Sequence, residues 1–387
     1  MQIEESRSKQ FLTRKAFTAA TGCFAMMGFT STCWGAIVPY ISEKNNFSIS
    51  LSGVIYGVFM FHTLVGTVLM QSLSQKIDLI WFARGGIFLT TLGFMGVLLF
   101  SSQVAVLLSA AFGGAGYGAT GITFLQMITR SSNSTNLRMN IASAVTGLGA
   151  LAGPFFISIL GVVNIPWIIL TSLSTAIVAT QLIKGVNWRV EKILNFKSSR
   201  IDRRKFTGLI AVLLGIVFYS GLENSIGAWL PTLSKNSGES LEHGALLTSL
   251  FYLFFTTGRF AGIWLANHFS AQKIVLNMIL LTSLPLVATI FVETTPFLVL
   301  PLAGLFLGPI FPNTSSWIAE KTPGFPMATT ILMISIMGGG FIFPPAIGFI
   351  IEGASINFFA LVVTPLLFLS IIFFTVGYFL WKKPKFT

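Results

Sequence analysis

Long apolar runs separated by short polar connections dominate the hydrophobic pattern of this chain. Each run is close to the roughly 20 residues that a helix needs to cross the hydrocarbon of a bilayer. The runs lack the in/out alternation of membrane-spanning strands, so the pattern predicts an all-α membrane protein with twelve transmembrane helices. In chain order they cover 16–41, 49–73, 81–101, 104–128, 140–163, 166–186, 207–233, 245–267, 273–293, 296–319, 327–351 and 356–381.

The polar connections are short except for one basic stretch, 187–206, near the middle of the chain. This stretch predicts a linker between a six-helix half at 16–186 and a second at 207–381. Short tails, 1–15 and 382–387, complete the predicted organisation.

Composition supports the membrane assignment, because 53% of the residues are hydrophobic and only 9% are charged. Soluble domains are about one quarter charged, so a soluble enzyme would lack charges to coat its surface. Cys23 and Cys33 are the only cysteines. Ten residues of helix separate them by about 15 Å, which excludes a disulfide between them.

The distribution of lysine and arginine predicts the orientation. If both termini are cytoplasmic, all of these residues except Lys44, Lys235 and Arg259 fall on the cytoplasmic side. This asymmetry is typical of the positive-inside rule and predicts a multi-pass plasma (bacterial inner) membrane protein. The net charge of +12 is then explained by topology and by contact with anionic membrane lipids, and not by nucleic acid.

The two halves share a repeated pattern. Residues 34–42 read WGAIVPYIS and residues 226–234 read IGAWLPTLS. Further pairs follow in the same order, namely Gly66 with Gly262, Gly116 with Gly308 and Pro154 with Pro345. Such order predicts two six-helix pseudo-repeats, an organisation that suits alternating access to a solute near the middle of the membrane.

Short motifs after the second and eighth predicted helices resemble the major facilitator superfamily. The eighth contains Gly262-Ile-Trp-Leu265-Ala266-Asn267, and the second contains the more eroded Gly66-Thr-Val-Leu69. Both copies lack the acidic residue of the family motif. The resemblance extends over essentially the whole chain and implies the major facilitator fold. It also implies conformational roles for the helix-packing and bending positions, which are Gly66, Gly262, Gly153, Pro154 and Pro345.

Within the superfamily, the seventh predicted helix is similar to the fucose/glucose–proton symporter group. The similar stretch runs from Tyr219 to Pro231 and contains Glu223, and Gly258-Arg259-Phe260 follows in the eighth helix. This resemblance implies transport of a sugar or sugar-like solute together with protons.

Ionisable residues inside membrane helices cost about 2.5–3.5 kcal/mol each on insertion scales, which makes them candidates for function. Three lie well inside the predicted helices, namely His62, Glu223 and Arg259. We expect them to take part in proton coupling, with Glu223 as the only deep carboxylate. Three alternatives stay open. In the first, Glu223 is only a structural partner of Arg259. In the second, Arg259 binds an anion or serves helix packing. In the third, His62 is a neutral histidine of the core.

Polar side chains on other predicted helices are candidates for binding the solute, although such residues also hold membrane helices together. The candidates are Ser31, Tyr219, Glu223, Asn224, Thr120, Thr123, Gln126 and Asn313. No ATP-binding loop, metal motif or catalytic constellation is evident, so we expect neither an enzyme nor a cofactor.

The leading hypothesis is a monomeric secondary transporter that imports a small polar solute with protons through Glu223. The alternative is a proton-driven antiporter that exports drugs or metabolites, which Gly149-Ala-Leu-Ala-Gly153-Pro154 in the fifth predicted helix supports. An anion carrier is a variant motivated by Arg259, and a non-transporting receptor is a third class.

Overall fold

A computed structural model describes most of the chain. The described residues are 14–74, 76–130, 135–183, 202–291, 298–323, 325, 327–354 and 358–382. Most of the predicted linker at 187–206, nearly all of the N-terminal tail and most of the C-terminal tail lie outside the described residues.

The described residues form fifteen α-helices and two short 3-10 turns, without strands, as the sequence predicts. The helices are α1 Arg14–Thr32, α2 Trp34–Asn45, α3 Ile49–Leu73, α4 Leu79–Leu99, α5 Gln103–Arg130, α6 Thr135–Leu160, α7 Ile165–Thr180, α8 Arg203–Asn236, α9 Leu241–Ala266, α10 Ala271–Leu281, α11 Ser283–Phe291, α12 Ala303–Leu307, α13 Ile310–Lys321, α14 Met327–Gly353 and α15 Phe359–Trp381.

The all-helical membrane fold is confirmed, but the count of twelve spanning helices is not. Ten stretches of the described chain are long and apolar enough to span a membrane. The bent pair of α1 and α2, which meet at 41°, raises this number to eleven. The predicted tenth segment, 296–319, is broken into a 3-10 turn, α12 and α13. The prolines in the described part of this segment lack the amide hydrogen that a continuous helix requires. They are Pro301, Pro309 and Pro312.

The chain forms two compact units. The first comprises the described parts of 1–31, 62–153 and 163–192. Within it α4 packs along α5, where Gly93 and Gly113 let the two backbones approach closely. Small residues are the usual means of close helix packing in membranes, where burial of apolar surface gives little driving force.

The second unit comprises the described parts of 32–61, 154–162 and 193–387. Helix α8 forms its centre and packs against α9, α14 and α15. The segment 32–61, which contains α2 and the first half of α3, also packs on these helices. A Cβ at Gly53 would come within 2.9 Å of the Pro345 Cα atom in α14, so the two backbones are in direct contact.

Candidate functional site

Glu223 lies in the apolar middle of α8, and the residue as a whole is partly buried. It lies one helical turn after Tyr219, and this i,i+4 spacing places both on one face. The carboxyl group interacts electrostatically with the Tyr219 hydroxyl and with the guanidinium of Arg259 on α9. The three candidates that the resemblance brought together in sequence are therefore also neighbours in space.

Arg259 is held by an aromatic ring. Its Cζ atom lies 4.7 Å from the centroid of the Phe255 ring, within the range of a cation–π interaction. Its Nε atom is buried and has no hydrogen-bond partner among the described residues. Within the described chain no ion pair of 4.0 Å or less joins Arg259 to Glu223. The guanidinium therefore attracts the carboxylate without a contact ion pair.

Tyr219 connects α8 to the broken predicted tenth segment. The ring is fully buried, and its hydroxyl donates a hydrogen bond of 3.2 Å to the carbonyl oxygen of Leu307 at the end of α12. Carbonyls at helix ends have no partner in their own helix, so this bond satisfies one of them. Tyr219 thus positions the helix break close to Glu223.

Asn224 is the centre of a hydrogen-bond network between α3, α8 and α14. The Tyr56 hydroxyl donates to Asn224 Oδ1 over 3.0 Å. Asn224 Nδ2 donates to the Ser220 carbonyl oxygen and hydroxyl, at 2.9 and 3.1 Å. The Ser220 hydroxyl then donates to the Ile336 carbonyl oxygen over 2.7 Å. Tyr56 is not among the residues that the sequence predicts for the site, although an aromatic residue with a polar tip inside an apolar helix is a signal for it.

The remaining solute-binding candidate in the second unit is Asn313. It is buried, and its Nδ2 donates to the Pro309 carbonyl oxygen over 2.8 Å. It lies close to Gly262, at which an added Cβ would be 3.5 Å from Asn313 Nδ2. Asn313 therefore serves the packing of α13 against α9 in this structure.

The other solute-binding candidates lie in the first unit. Thr120 and Thr123 are fully buried and donate to carbonyl oxygens of their own helix, at 2.8 and 2.6 Å. The Ser31 hydroxyl donates to the Gly28 carbonyl oxygen over 3.0 Å and also interacts with the Tyr117 hydroxyl. Gln126 on α5 is partly buried. Their role in solute binding stays a prediction.

His62 is partly buried on α3, also in the first unit. The positions with predicted conformational roles are packed closely. An added Cβ would clash with Ala115 at Gly66 and would lie 2.9 Å from Pro309 Cβ at Gly262. Gly153 and Pro154 are buried in α6.

Three carboxylates hold one end of the second unit together. The Glu43 carboxylate pairs with Lys235 over 2.5 Å. Glu352 Oε2 accepts the Ser50 backbone N–H over 2.7 Å, and Glu242 Oε1 accepts that of Val162 over 3.1 Å. These end contacts, as we call the three, join segments 32–61 and 154–162 to helices α8, α9 and α14.

A space of only about 10 Å³ remains beside Tyr56, between α2 and α3 on one side and α8 and α14 on the other. This volume is roughly that of one water molecule, so this space is too small for a solute in this structure.

Comparison with known proteins supports the family resemblance. Residues 19–192 match the family model of the Major Facilitator Superfamily. No curated protein sequence matches the chain. In the described part of the chain, no cluster of three or more His, Cys, Asp or Glu residues could hold a metal ion.

Solved structures share the fold along almost the whole chain. The E. coli fucose:proton symporter FucP has a TM-score of 0.64 at 17% identity, covering 93% of this chain and 98% of its own. The nucleoside transporter NupG has a TM-score of 0.72 at 10% identity, covering 95% and 100%. A bacterial homologue of the human lysosomal transporter Spinster has a TM-score of 0.67 at 12% identity, covering 95% of both. The chain thus resembles the major facilitator superfamily, by the match over residues 19–192 and by its fold.

Proposed function

We propose that this chain, a major facilitator superfamily protein by its family match and fold, imports a small polar solute together with protons. The solute is a sugar or a sugar-like metabolite, and Glu223 carries the proton. The protein works as a monomer in the plasma (bacterial inner) membrane, with both termini in the cytoplasm and anionic lipids around its basic loops.

The environment of Glu223 carries this proposal. A carboxyl group within an apolar helix is costly unless it has a partner or a function. Glu223 is partly exposed, and the cation nearest to it is held by the Phe255 ring instead of by a contact ion pair. The carboxyl group is therefore able to bind and release a proton, whereas a permanent contact ion pair would lock it in the charged form.

The resemblance to the fucose/glucose–proton symporter group supports a sugar-like solute. FucP is a fucose:proton symporter and NupG is a nucleoside transporter, and their substrates share a hydroxylated sugar ring. Near Glu223 lie the Asn224 amide and the Tyr56 hydroxyl, which bond to each other in this structure and are groups that recognise sugar hydroxyls by hydrogen bonding when their own bond opens.

Protonation of Glu223 removes a negative charge from the membrane interior and so makes reorientation of the loaded carrier easier. After release of the solute, the proton leaves and the attraction of Arg259 stabilises the carboxylate. One charge that moves through 100 mV gains about 2.3 kcal/mol, which concentrates the solute severalfold or more.

The test uses liposomes that contain the protein and an internal pH dye. Pools of monosaccharides and of nucleosides are added outside, and Glu223→Gln is compared with the wild type. We expect one pool to acidify the interior with the wild type and none to do so with Glu223→Gln. Glu239→Gln, which removes an exposed carboxylate, is the matched control and retains acidification.

Counterflow of labelled solute separates coupling from binding. Glu223→Gln retains counterflow if Glu223 carries only the proton and loses it if the carboxyl group also binds the solute. The competing function is proton-driven export of drugs or metabolites, supported by the glycine pattern that ends in Gly153-Pro154. Proton efflux on addition of a lipophilic cation, without a response to any sugar or nucleoside, would establish export instead.

A further inference from the structure

The second unit contains a cavity of about 490 Å³ that is separate from the Glu223 region. It lies where α8 begins and where α13 and α15 end, which is the cytoplasmic side of the proposed topology. Its size is that of pockets that hold small ligands. The cavity is lined by Asp202, Arg204, Lys205, Gln272, Trp317, Glu320, Lys321, Pro323, Tyr378, Leu380, Trp381 and Lys382.

The lining contains four cationic and two acidic side chains, and two of the four cations already form hydrogen bonds or ion pairs within the protein. The Arg204 guanidinium donates to the carbonyl oxygens of Leu380 and Lys382, at 2.8 and 3.0 Å, and so caps the end of α15. Lys321 pairs with Glu320 over 2.6 Å. These bonds shape the wall of the cavity and leave the other cations available to a ligand.

The free cations are Lys205 and Lys382. Neither ammonium group has a hydrogen-bond acceptor among the residues that the structure describes. The Lys382 Nζ atom lies 5.8 Å from the Tyr378 ring centroid, which holds it at the cavity. Two lysines that face one cavity favour an anionic ligand.

Gln272 adds a polar group that lacks a partner. Its Oε1 atom is buried and has no hydrogen-bond donor within the described chain, and the residue belongs to the lining of the cavity. An unpaired buried polar atom is unfavourable, and a ligand hydroxyl group that reaches this atom supplies the missing donor. The ligand that fits this lining therefore carries a hydroxyl group in addition to its negative charge.

Aromatic side chains place the cavity at the boundary between membrane and water. Trp317 and Trp381 meet edge to face at 5.4 Å, and Trp381 Nε1 donates to the Lys205 carbonyl oxygen over 3.0 Å. Tryptophan and tyrosine are enriched at this boundary, where phosphate groups of lipids also lie.

We propose that this cavity binds a phosphate group that carries a hydroxylated substituent, such as phosphoglycerol. Lys205 and Lys382 bind the phosphate oxygens, and Gln272 accepts a hydrogen bond from the hydroxyl group. Two sources share this chemistry, namely the headgroup of phosphatidylglycerol and soluble glycerol phosphate. Basic pockets between membrane helices are known to hold anionic headgroups.

The experiment is native mass spectrometry of the delipidated, full-length protein in detergent. Phosphatidylglycerol and phosphatidylcholine are titrated separately, and glycerol 3-phosphate is added in a second arm. The test variant is Lys205→Ala with Lys382→Ala. The matched control is Lys76→Ala with Lys273→Ala, which removes two exposed lysines outside the cavity. A third variant, Gln272→Leu, leaves the charge unchanged.

We expect the wild type and the control pair to bind phosphatidylglycerol in preference to phosphatidylcholine. The test pair should bind it about tenfold or more weakly, since each lysine near an anionic surface contributes about 1 kcal/mol. Gln272→Leu should weaken the binding of phosphatidylglycerol more than that of phosphatidic acid, which lacks the headgroup hydroxyls and is titrated in the same way. Binding of glycerol 3-phosphate with the same dependence on the variants, and displacement of the lipid by it, would identify the soluble source.

Two results would overturn the proposal. One is equal binding of phosphatidylglycerol by the test pair and the control pair, together with no binding of glycerol 3-phosphate. The other is equal affinity of the wild type for the two phospholipids, again without binding of glycerol 3-phosphate. Thermal unfolding of each variant without ligand shows that the comparison concerns folded protein.

Discussion

Gly35 on α2 lies directly against the backbone of Gly227 on α8. A Cβ atom added to Gly35 would come within 2.7 Å of the Gly227 carbonyl oxygen. These two glycines are the equivalent positions of the repeated patterns WGAIVP and IGAWLP, so the repeat relates two residues that are also in contact. A glycine at this crossing lets the two helices approach closely, as small residues do in membranes.

Gly35→Val is expected to separate α2 from α8, because the contacting atom is backbone and cannot turn away. Cys33, two residues earlier, is fully buried. In a Cys23→Ser background we expect the alkylation of Cys33 by a maleimide to be several-fold faster in the variant. Gly22→Val is the control, since nothing lies within 4 Å of a Cβ there. Unchanged alkylation together with unchanged transport would contradict this contact.

Tyr56→Phe removes only the hydroxyl group that donates to Asn224 Oδ1. The amide oxygen then loses its donor in a partly buried position, at a cost of about 1 kcal/mol. We expect a lower melting temperature in detergent and a change in the KM of solute uptake larger than that in kcat. Tyr40→Phe on α2 provides a comparison with another partly buried tyrosine. If the two variants behave alike, the Tyr56 bond does not support the site.

Phe255→Leu removes the ring over which the Arg259 guanidinium lies. Loss of the cation–π interaction costs about 0.5–2 kcal/mol, and the arginine gains freedom to pair with Glu223. We therefore expect slower proton-coupled uptake, measured with the liposome pH dye, while counterflow changes less. Phe260→Leu, at an exposed ring of the same helix, should have no effect. Equal rates in the wild type and Phe255→Leu would show that the ring does not control Arg259.

The end contacts differ in strength. Glu352→Gln weakens a charge-assisted hydrogen bond to the Ser50 N–H at the start of α3, where the helix dipole also favours a negative charge. Glu43→Gln breaks a surface ion pair with Lys235, and such pairs contribute about 0–1 kcal/mol.

We expect Glu352→Gln to lower the melting temperature more than Glu43→Gln does. The effect of Glu43→Gln should also disappear in high salt, because salt screens exposed charges. Melting curves in detergent at low and high salt concentration check both statements. A larger effect of Glu43→Gln would reverse the ranking of the two contacts.

The sequence alone determines that the protein is a membrane protein, which segments are helical and that its two halves are repeated. An apolar helix satisfies its backbone hydrogen bonds locally and contacts lipid along its length. A run of consecutive apolar residues is therefore enough to locate it in the sequence. An ionisable residue inside an apolar run, such as Glu223, can also be recognised from the sequence, because a charge buried in hydrocarbon is costly in any arrangement of the helices. The resemblance of residues 219–231 to sugar–proton symporters also rests on consecutive residues of the sequence.

Only the tertiary structure decided which groups became partners. Arg259 lies over Phe255 instead of forming a contact pair with Glu223, and Asn224 is satisfied by Tyr56 from 168 residues away. The basic cavity at the start of α8 arose in the same way. Side-chain hydrogen bonds and ring contacts act over a few ångströms between residues distant in sequence. They follow from how the helices pack, which a pattern along one helix does not contain.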